Sequence, residues 1–142
     1  MKKRNIILTI VLIVCVGLLA GAVYLFNDIF PKAKPIRHPE PNEIVSVKLS
    51  CNTPDATIPM SEKYYEDLIR YISEAKPTRK QSLNDYPTAL PYYIFEIQAS
   101  ETQYRYFVYE EGGQVYIEMP YEGIYEAEPN LLNITLKYFE EG

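Results

Sequence analysis

The sequence predicts an α+β protein in which a long apolar helix at the N-terminus precedes a small domain built on an antiparallel sheet. Three observations support this. Residues 6–26 form an uncharged run of 21 residues, several later segments alternate apolar and polar side chains, and two others repeat apolar residues at helical spacing. The predicted order of elements in the domain is β-α-β-β-β-α, with the helices packed on one face of the sheet.

The N-terminal run has the length of a membrane-spanning helix. At 1.5 Å per residue, Ile6 to Phe26 would span about 31 Å, which is close to the hydrocarbon thickness of a bilayer. Met1-Lys2-Lys3-Arg4 places positive charge before the run, which predicts a cytoplasmic N-terminus. Residues 1–26 are therefore predicted to be a single-pass anchor in the cell membrane, with the membrane as partner of Ile6–Phe26 and the C-terminal domain extracellular.

Two alternatives for the same run stay open. Ala20-Gly21-Ala22 has the form of a signal-peptidase site, although Val23-Tyr24-Leu25-Phe26 continues the apolar run beyond it. Leu12-Ile13-Val14-Cys15 has the outline of a lipidation site at Cys15, although a small residue is expected where Val14 stands. All three interpretations place the remaining chain outside the cytoplasm.

A proline-rich segment follows the apolar run. Residues 27–42 contain four prolines together with Lys32, Lys34 and Arg37, so they are predicted to form an extended, solvated tether. Residues 43–142 are then about one hundred residues, enough for one domain with its own core. Because the chain after Arg4 has 11 basic and 19 acidic side chains, no nucleic-acid partner is predicted.

Alternation and helical spacing locate the elements of the domain. The first predicted strand runs from Glu43 to Cys51, and Cys51 lies on its inward face. Ser61 is predicted to cap a helix that buries a stripe including Leu68, Ile69 and Ile72, and that Pro77 ends.

Three more strands and a helix are predicted after residue 91. The strands are Tyr92–Ala99, Tyr104–Glu110 and Gln114–Met119, with a tight turn at Gly112-Gly113 before the last of them. Pro129 suits the first turn of a final helix, in which Leu132, Leu136 and Phe139 are predicted to face inward.

Tyrosine content and two loops indicate where a partner would bind. The chain contains 14 tyrosines, more than a core of this size is expected to bury, and tyrosine is frequent at recognition surfaces. The connection between the first helix and the second strand is long and polar, as functional loops often are. The predicted binding residues come from this connection and from the loop after residue 119: Arg79, Asn84, Asp85, Tyr86, Tyr121 and Tyr125. A purely structural role, in which Arg79 and Asp85 pair with each other, is the alternative.

Several short motifs resemble a known family. They are Pro77-Thr78-Arg79, Ser82-x-Asn84-Asp85-x-Pro87, Tyr92-Tyr93-x-Phe95-x-Ile97 and Tyr116-Ile117-Glu118-x-Pro120-Tyr121-x-Gly123-Ile124-Tyr125. Together they resemble a family of small Firmicutes domains of unknown function that follow an N-terminal membrane or lipoprotein signal. The resemblance extends from residue 44 to about residue 138. It implies an extracytoplasmic location in a Gram-positive bacterium and no activity, cofactor or catalytic residue.

The chemistry available to the domain argues against an enzyme. The single histidine, His38, lies in the predicted tether, so neither a Ser-His-Asp triad nor a usual zinc site is expected, and no catalytic residue, metal or cofactor is predicted. Paired carboxylates among Glu96, Glu118 and Glu122 leave one enzymatic alternative, a small hydrolase of cell-wall glycans. The sequence favours a binding module for a protein, a peptide or a wall component.

Overall fold

The computed structural model describes residues 2–52 and 55–141, without the side chain of Asp55. The chain divides into two units, residues 1–32 and residues 33–142. In the first unit, α1 runs from Lys2 to Ile29 and extends the apolar run at both ends. This helix is long and apolar enough to cross a membrane, judged by its length and composition.

The second unit is an α+β domain on one antiparallel sheet, which confirms the predicted fold class. Its strands are β1 (Ile44–Asn52), β2 (Asp55–Pro59), β3 (Lys76–Pro77), β4 (Tyr92–Ala99), β5 (Gln103–Glu111), β6 (Gln114–Met119) and β7 (Gly123–Glu126). Its helices are α2 (Tyr65–Ser73) and α3 (Asn130–Glu141), and short 3₁₀ turns occur at Pro41–Glu43 and Glu62–Tyr64. In the part of the chain that the structure describes, the strand order is β2-β1-β4-β5-β6-β7-β3.

One face of the sheet carries the main core. Phe95 of β4 pairs with Leu49 of β1 on one side and with Tyr106 of β5 on the other, and all three side chains are fully buried. Cys51 lies on the same face and is buried, as predicted. Helices α2 and α3 pack on this face because their buried residues repeat at helical spacing.

The sheet has more strands than the sequence predicted. The additional strands are β2, β3 and β7, with five, two and four residues. Such short strands contain too few alternating positions to produce a period-two pattern, so the predicted order β-α-β-β-β-α lacked them. The helix predicted to reach Pro77 ends at Ser73, and Pro77 pairs with Tyr125 in the edge strand β3.

One predicted helix detail is wrong, and another is confirmed only in part. Ser61 makes no side-chain cap; it precedes a 3₁₀ turn, and α2 begins only at Tyr65. In α3, the fully buried residues are Leu131, Thr135 and Tyr138, whereas in the predicted stripe Leu132 and Phe139 are partly buried against the core and Leu136 is exposed. Thr135 tolerates burial because its hydroxyl donates to the carbonyl oxygen of Leu131 at 2.8 Å.

The segment that precedes β1 packs on the domain instead of forming a free tether. We call residues 33–40 the strap. Ile36 and Pro39 of the strap are buried, and the Tyr106 hydroxyl donates to the carbonyl oxygen of Arg37 at 2.6 Å. The compact unit thus begins at Ala33, before the boundary at residue 43 that composition predicted. The buried side chains Ile36 and Pro39 therefore belong to the packed domain, whereas a free tether would leave them in solvent.

Candidate binding surface

The second face of the sheet, opposite α2 and α3, is covered by the connection between β3 and β4. We call this connection, residues 78–91, the cover loop. Phe107 points away from the helices because it alternates with Tyr106 along β5, yet it is fully buried. The ring of Tyr86 in the cover loop lies edge-on to Phe107, at 5.9 Å between centroids, and stacks on Tyr92 at 6.4 Å. Aromatic packing therefore holds the loop on the sheet.

Thr78 and Lys80 fix the beginning of the cover loop. The backbone N–H and the hydroxyl of Thr78 both donate to the carbonyl oxygen of Ile124, at 3.1 Å and 2.6 Å. The Lys80 ammonium lies over the Tyr116 ring, at 4.1 Å from its centroid, and hydrogen bonds to the Glu111 carboxylate. This carboxylate, more than any other group, raises the pKa of Lys80. These contacts hold the first residues of the cover loop in one conformation.

A buried polar contact fixes the middle of the loop. Glu118 of β6 is 5% exposed, and the Ser82 hydroxyl donates to its carboxylate at 2.6 Å. The same hydroxyl accepts the backbone N–H of Tyr121 at 3.2 Å. Burial, followed by the Glu118 carboxylate, raises the pKa of the neighbouring Tyr109. Ser82 thus joins the cover loop, the sheet and the loop after β6.

Tyr121 is held in an unusual conformation and points into solvent. Its φ is 63°, in the left-handed region that a bulky residue adopts only at a cost of about 1–3 kcal/mol. The side chain is 66% exposed, and its hydroxyl donates to the carboxylate of Asp85 at 2.8 Å. This hydrogen bond raises the pKa of Tyr121. Surrounding contacts therefore maintain a strained backbone that presents an aromatic ring outward.

The structure brings most of the predicted binding residues together. Asp85 and Tyr121 are in direct contact, Tyr86 follows Asp85, and Asn84 is exposed beside them. Arg79 lies near the beginning of the cover loop and is half-buried.

One predicted residue does not belong to this surface, and one was missed. Tyr125 is 1% exposed and pairs with Ile117 on the helix-covered face, so its ring is part of the core. Leu83 is 69% exposed in the middle of the cover loop, next to Asn84. In the sequence, Leu83 could have been recognised as a candidate binding residue because it is an apolar side chain within a polar loop. We call Leu83, Asn84, Asp85, Tyr86 and Tyr121 the loop surface.

The three carboxylates considered for glycan hydrolysis are each engaged by another side chain. Glu96 pairs with Arg105 at 2.7 Å, and Glu118 is buried against Ser82. Glu122 accepts two hydrogen bonds from the guanidinium of Arg37, which raise the pKa of Arg37. Within residues 2–52 and 55–141, no group of three or more His, Cys, Asp or Glu side chains is arranged to hold a metal ion.

The fold and this site define a small α+β domain whose sheet is covered by helices on one face and by an ordered loop on the other. The sequence profile of a family matches residues 32–126, and the chain belongs to this family, DUF5301, described as "Domain of unknown function (DUF5300)". The match begins next to Ala33, where the compact unit begins. The predicted resemblance to a family of unknown function is confirmed at this level.

A solved structure is similar to this chain. It is described as the NMR structure of the protein from Ruminococcus gnavus, and it shares 32% sequence identity with this chain. The similarity extends over 63% of this chain and 88% of the other, with a TM-score of 0.54. This organism is loosely consistent with the predicted Firmicutes origin. No curated protein matches the chain.

Proposed function

We propose that this chain is a membrane-anchored, extracytoplasmic binding module of a Gram-positive bacterium, with the loop surface as its recognition site. Helix α1 is the anchor, and the basic residues before it favour a cytoplasmic N-terminus. The observation that carries the binding role is Tyr121, a residue that is 66% exposed and has a left-handed backbone conformation, with contacts to Ser82 and Asp85.

The composition of the loop surface suits recognition of a protein, a peptide or a wall component. Leu83, Tyr86 and Tyr121 expose apolar area, and Asn84 and Asp85 add hydrogen-bonding groups between them. Tyrosine contributes large contact area for two rotatable bonds, so a pre-positioned ring binds at low entropic cost. Strained residues concentrate at sites of function, which supports a role for Tyr121 beyond packing.

The glycan-hydrolase alternative has less support. Catalysis by a carboxylate pair requires two acids that flank a substrate in a cleft, one of them free to attack or to activate water. Glu96 and Glu122 are paired with arginines and Glu118 is buried, so no contact of these three acids favours this reaction.

Site-specific photocrosslinking in the native host tests the recognition site. A benzophenone amino acid is placed at Tyr121, and for comparison at Val45, which is 64% exposed on β1. The proposal expects a discrete adduct from position 121, none from position 45, and loss of the adduct when Leu83→Asp is added. The same adducts from both positions, or none from position 121 in a folded chain, would show that the loop surface is not a recognition site.

Cysteine labelling on intact cells tests the location independently. Tyr121→Cys and Lys3→Cys are each treated with a membrane-impermeant maleimide, with the unmodified chain giving the background from Cys15 and Cys51. The proposed topology expects labelling of Tyr121→Cys and not of Lys3→Cys. The reverse pattern, or labelling only after lysis, would contradict an extracytoplasmic domain.

A further inference from the structure

A second candidate site lies away from the loop surface, between α3 and the neighbouring ends of β4 and β5. It is a groove of about 320 Å³, near the lower limit for ligand-binding sites. We call it the leucine groove. Its lining residues are Leu90, Pro91, Tyr93, Glu110, Leu132 and Leu136. None of them belongs to the loop surface.

The walls of the leucine groove are apolar and open to solvent. Leu90 is 69% exposed and Leu136 is 39% exposed. The phase of α3 explains this exposure, because Leu131, Thr135 and Tyr138 face the core and turn Leu136 toward the groove. The Tyr93 ring, held edge-on to Phe139 at 6.2 Å, contributes a rigid aromatic surface to the same groove.

Glu110 gives the groove its charge. Its side chain is exposed, and among the described residues no Lys or Arg nitrogen lies within 4.0 Å of its carboxylate. The adjacent Glu111, by contrast, is paired with Lys80. Residues 33–142 contain 10 basic and 18 acidic side chains, a net charge of −8. Both the local charge and the overall charge therefore favour a cationic occupant.

We propose that the leucine groove binds a basic peptide segment in which a leucine-like side chain neighbours a lysine or an arginine. The apolar side chain lies between Leu90 and Leu136, and the cation pairs with the Glu110 carboxylate. Removing an exposed leucine from water on both partners supplies affinity, and the charge pair selects against acidic segments. This site is additional to the loop surface, so either can fail while the other stands.

Fluorescence anisotropy with defined peptides tests the proposal on the full chain in nanodiscs of zwitterionic lipid. The probe is fluorescein-labelled Gly-Leu-Lys-Leu-Lys-Gly, and the comparison peptides replace both lysines by glutamate or both leucines by alanine. We expect saturable binding of the probe and at least tenfold weaker binding of each comparison peptide.

Matched variants locate the binding. Glu110→Gln and Leu136→Asp are expected to raise the Kd of the probe at least fivefold, whereas Glu111→Gln and Leu83→Asp leave it within twofold. Glu110→Gln alters an exposed side chain, so it remains informative if Leu136→Asp does not fold. Equal weakening by Glu110→Gln and Glu111→Gln would reduce the effect to general charge attraction and overturn the proposal. The proposal would also be overturned if Leu83→Asp were the only variant that loses probe binding. It would likewise be overturned if Leu136→Asp changed the self-association of the chain and left the Kd of the probe unchanged.

Discussion

At the scale of single residues, Ser82 has the widest influence on the candidate surface. A buried carboxylate must be compensated by donors, and at Glu118 one donor is the hydroxyl of Ser82. Because that hydroxyl also accepts the N–H of Tyr121, one small side chain connects the cover loop both to β6 and to the loop that follows β6. The orientation of Tyr121 therefore depends on a residue that is itself buried.

Replacing Ser82 tests this dependence. Ser82→Ala leaves the Tyr121 N–H without this acceptor and Glu118 without this donor, so the free energy of unfolding should fall by about 1–3 kcal/mol. Urea unfolding measures the loss. In the Glu118→Leu background the same substitution should cost less, because the carboxylate that needed the donor is gone. Equal costs in the two backgrounds would show that Ser82 and Glu118 do not act together.

At the scale of elements, the strap is the segment with the least recognisable sequence signal. Its Ala33 N–H donates to the carbonyl oxygen of Thr78 at 2.9 Å, which joins it to the base of the cover loop. A Cβ added to Gly123 would overlap the methyl group of Ala33, so glycine is needed where the strap crosses β7. Arg37 and Glu122 then pair on the surface.

Truncation measures what the strap contributes. A chain that begins at Pro41 lacks Ile36, Pro39 and the acceptor of the Tyr106 hydroxyl, so we expect it to be less stable than a chain that begins at Ala33. After the entropy of ordering the strap is subtracted from the burial of Ile36, the expected difference is about 1–3 kcal/mol. Urea unfolding of both fragments gives the value. Arg37→Ala should account for less than about 1 kcal/mol of it, since the pair is exposed. Equal stability of the two fragments would show that the strap does not stabilise the domain and acts only as a tether.

Sequence patterns correctly predicted those strands and turns that are determined by residues within the element itself. The predicted bounds of β4 and β6 agree with the structure, because six to eight alternating residues define both the period and the ends of a strand. The turn between β5 and β6 was also predicted, and Gly112 and Gly113 adopt the positive φ values, 61° and 80°, that it requires.

Other features depend on contacts between distant segments, and the sequence did not reveal them. Leu132, Leu136 and Phe139 have the same spacing as Leu131, Thr135 and Tyr138, so periodicity alone cannot show which row is buried more deeply. The Tyr138 ring packs against the Tyr64 ring, at 4.4 Å between centroids, and this contact between distant segments favours deep burial of the row that contains Tyr138. The contact between Asp85 and Tyr121 and the burial of Ile36 likewise arise only in the folded chain.

At the scale of the whole molecule, tyrosine is a prominent component of the buried core. The chain has no tryptophan, and two of its largest fully buried side chains are Tyr106 and Tyr125. Burial is the first cause of the raised pKa of each of five tyrosines: Tyr93, Tyr106, Tyr109, Tyr125 and Tyr138. The fold therefore depends on keeping these phenols neutral.

This dependence predicts loss of stability in alkali. Burial raises the pKa of Tyr138 from 10.0 to about 12, so the folded state holds this proton more tightly than the unfolded state. The contribution is complete below pH 10 and is lost as pH rises toward 12. Unfolding free energies measured across this window should fall, and they should fall less steeply in Tyr138→Phe, which has no proton to lose. If the unfolding free energy fell equally steeply with pH in both proteins, ionisation of Tyr138 would not contribute to the loss of stability.

The position of the strap also determines how the domain would respond to a mechanical load. Residues 30–32 connect α1 to the strap, so in the proposed topology, tension between the anchor and a bound partner would reach Ala33 first and Arg37 next. These residues hold Thr78, at the beginning of the cover loop, and Glu122, which follows Tyr121. Detachment of the strap from the domain would therefore loosen both the cover loop and the loop after β6. We expect the lifetime of the complex with a bound partner to shorten under force. Optical-tweezer measurements in which Arg37→Ala releases at the same force as the unmodified chain would argue against this coupling.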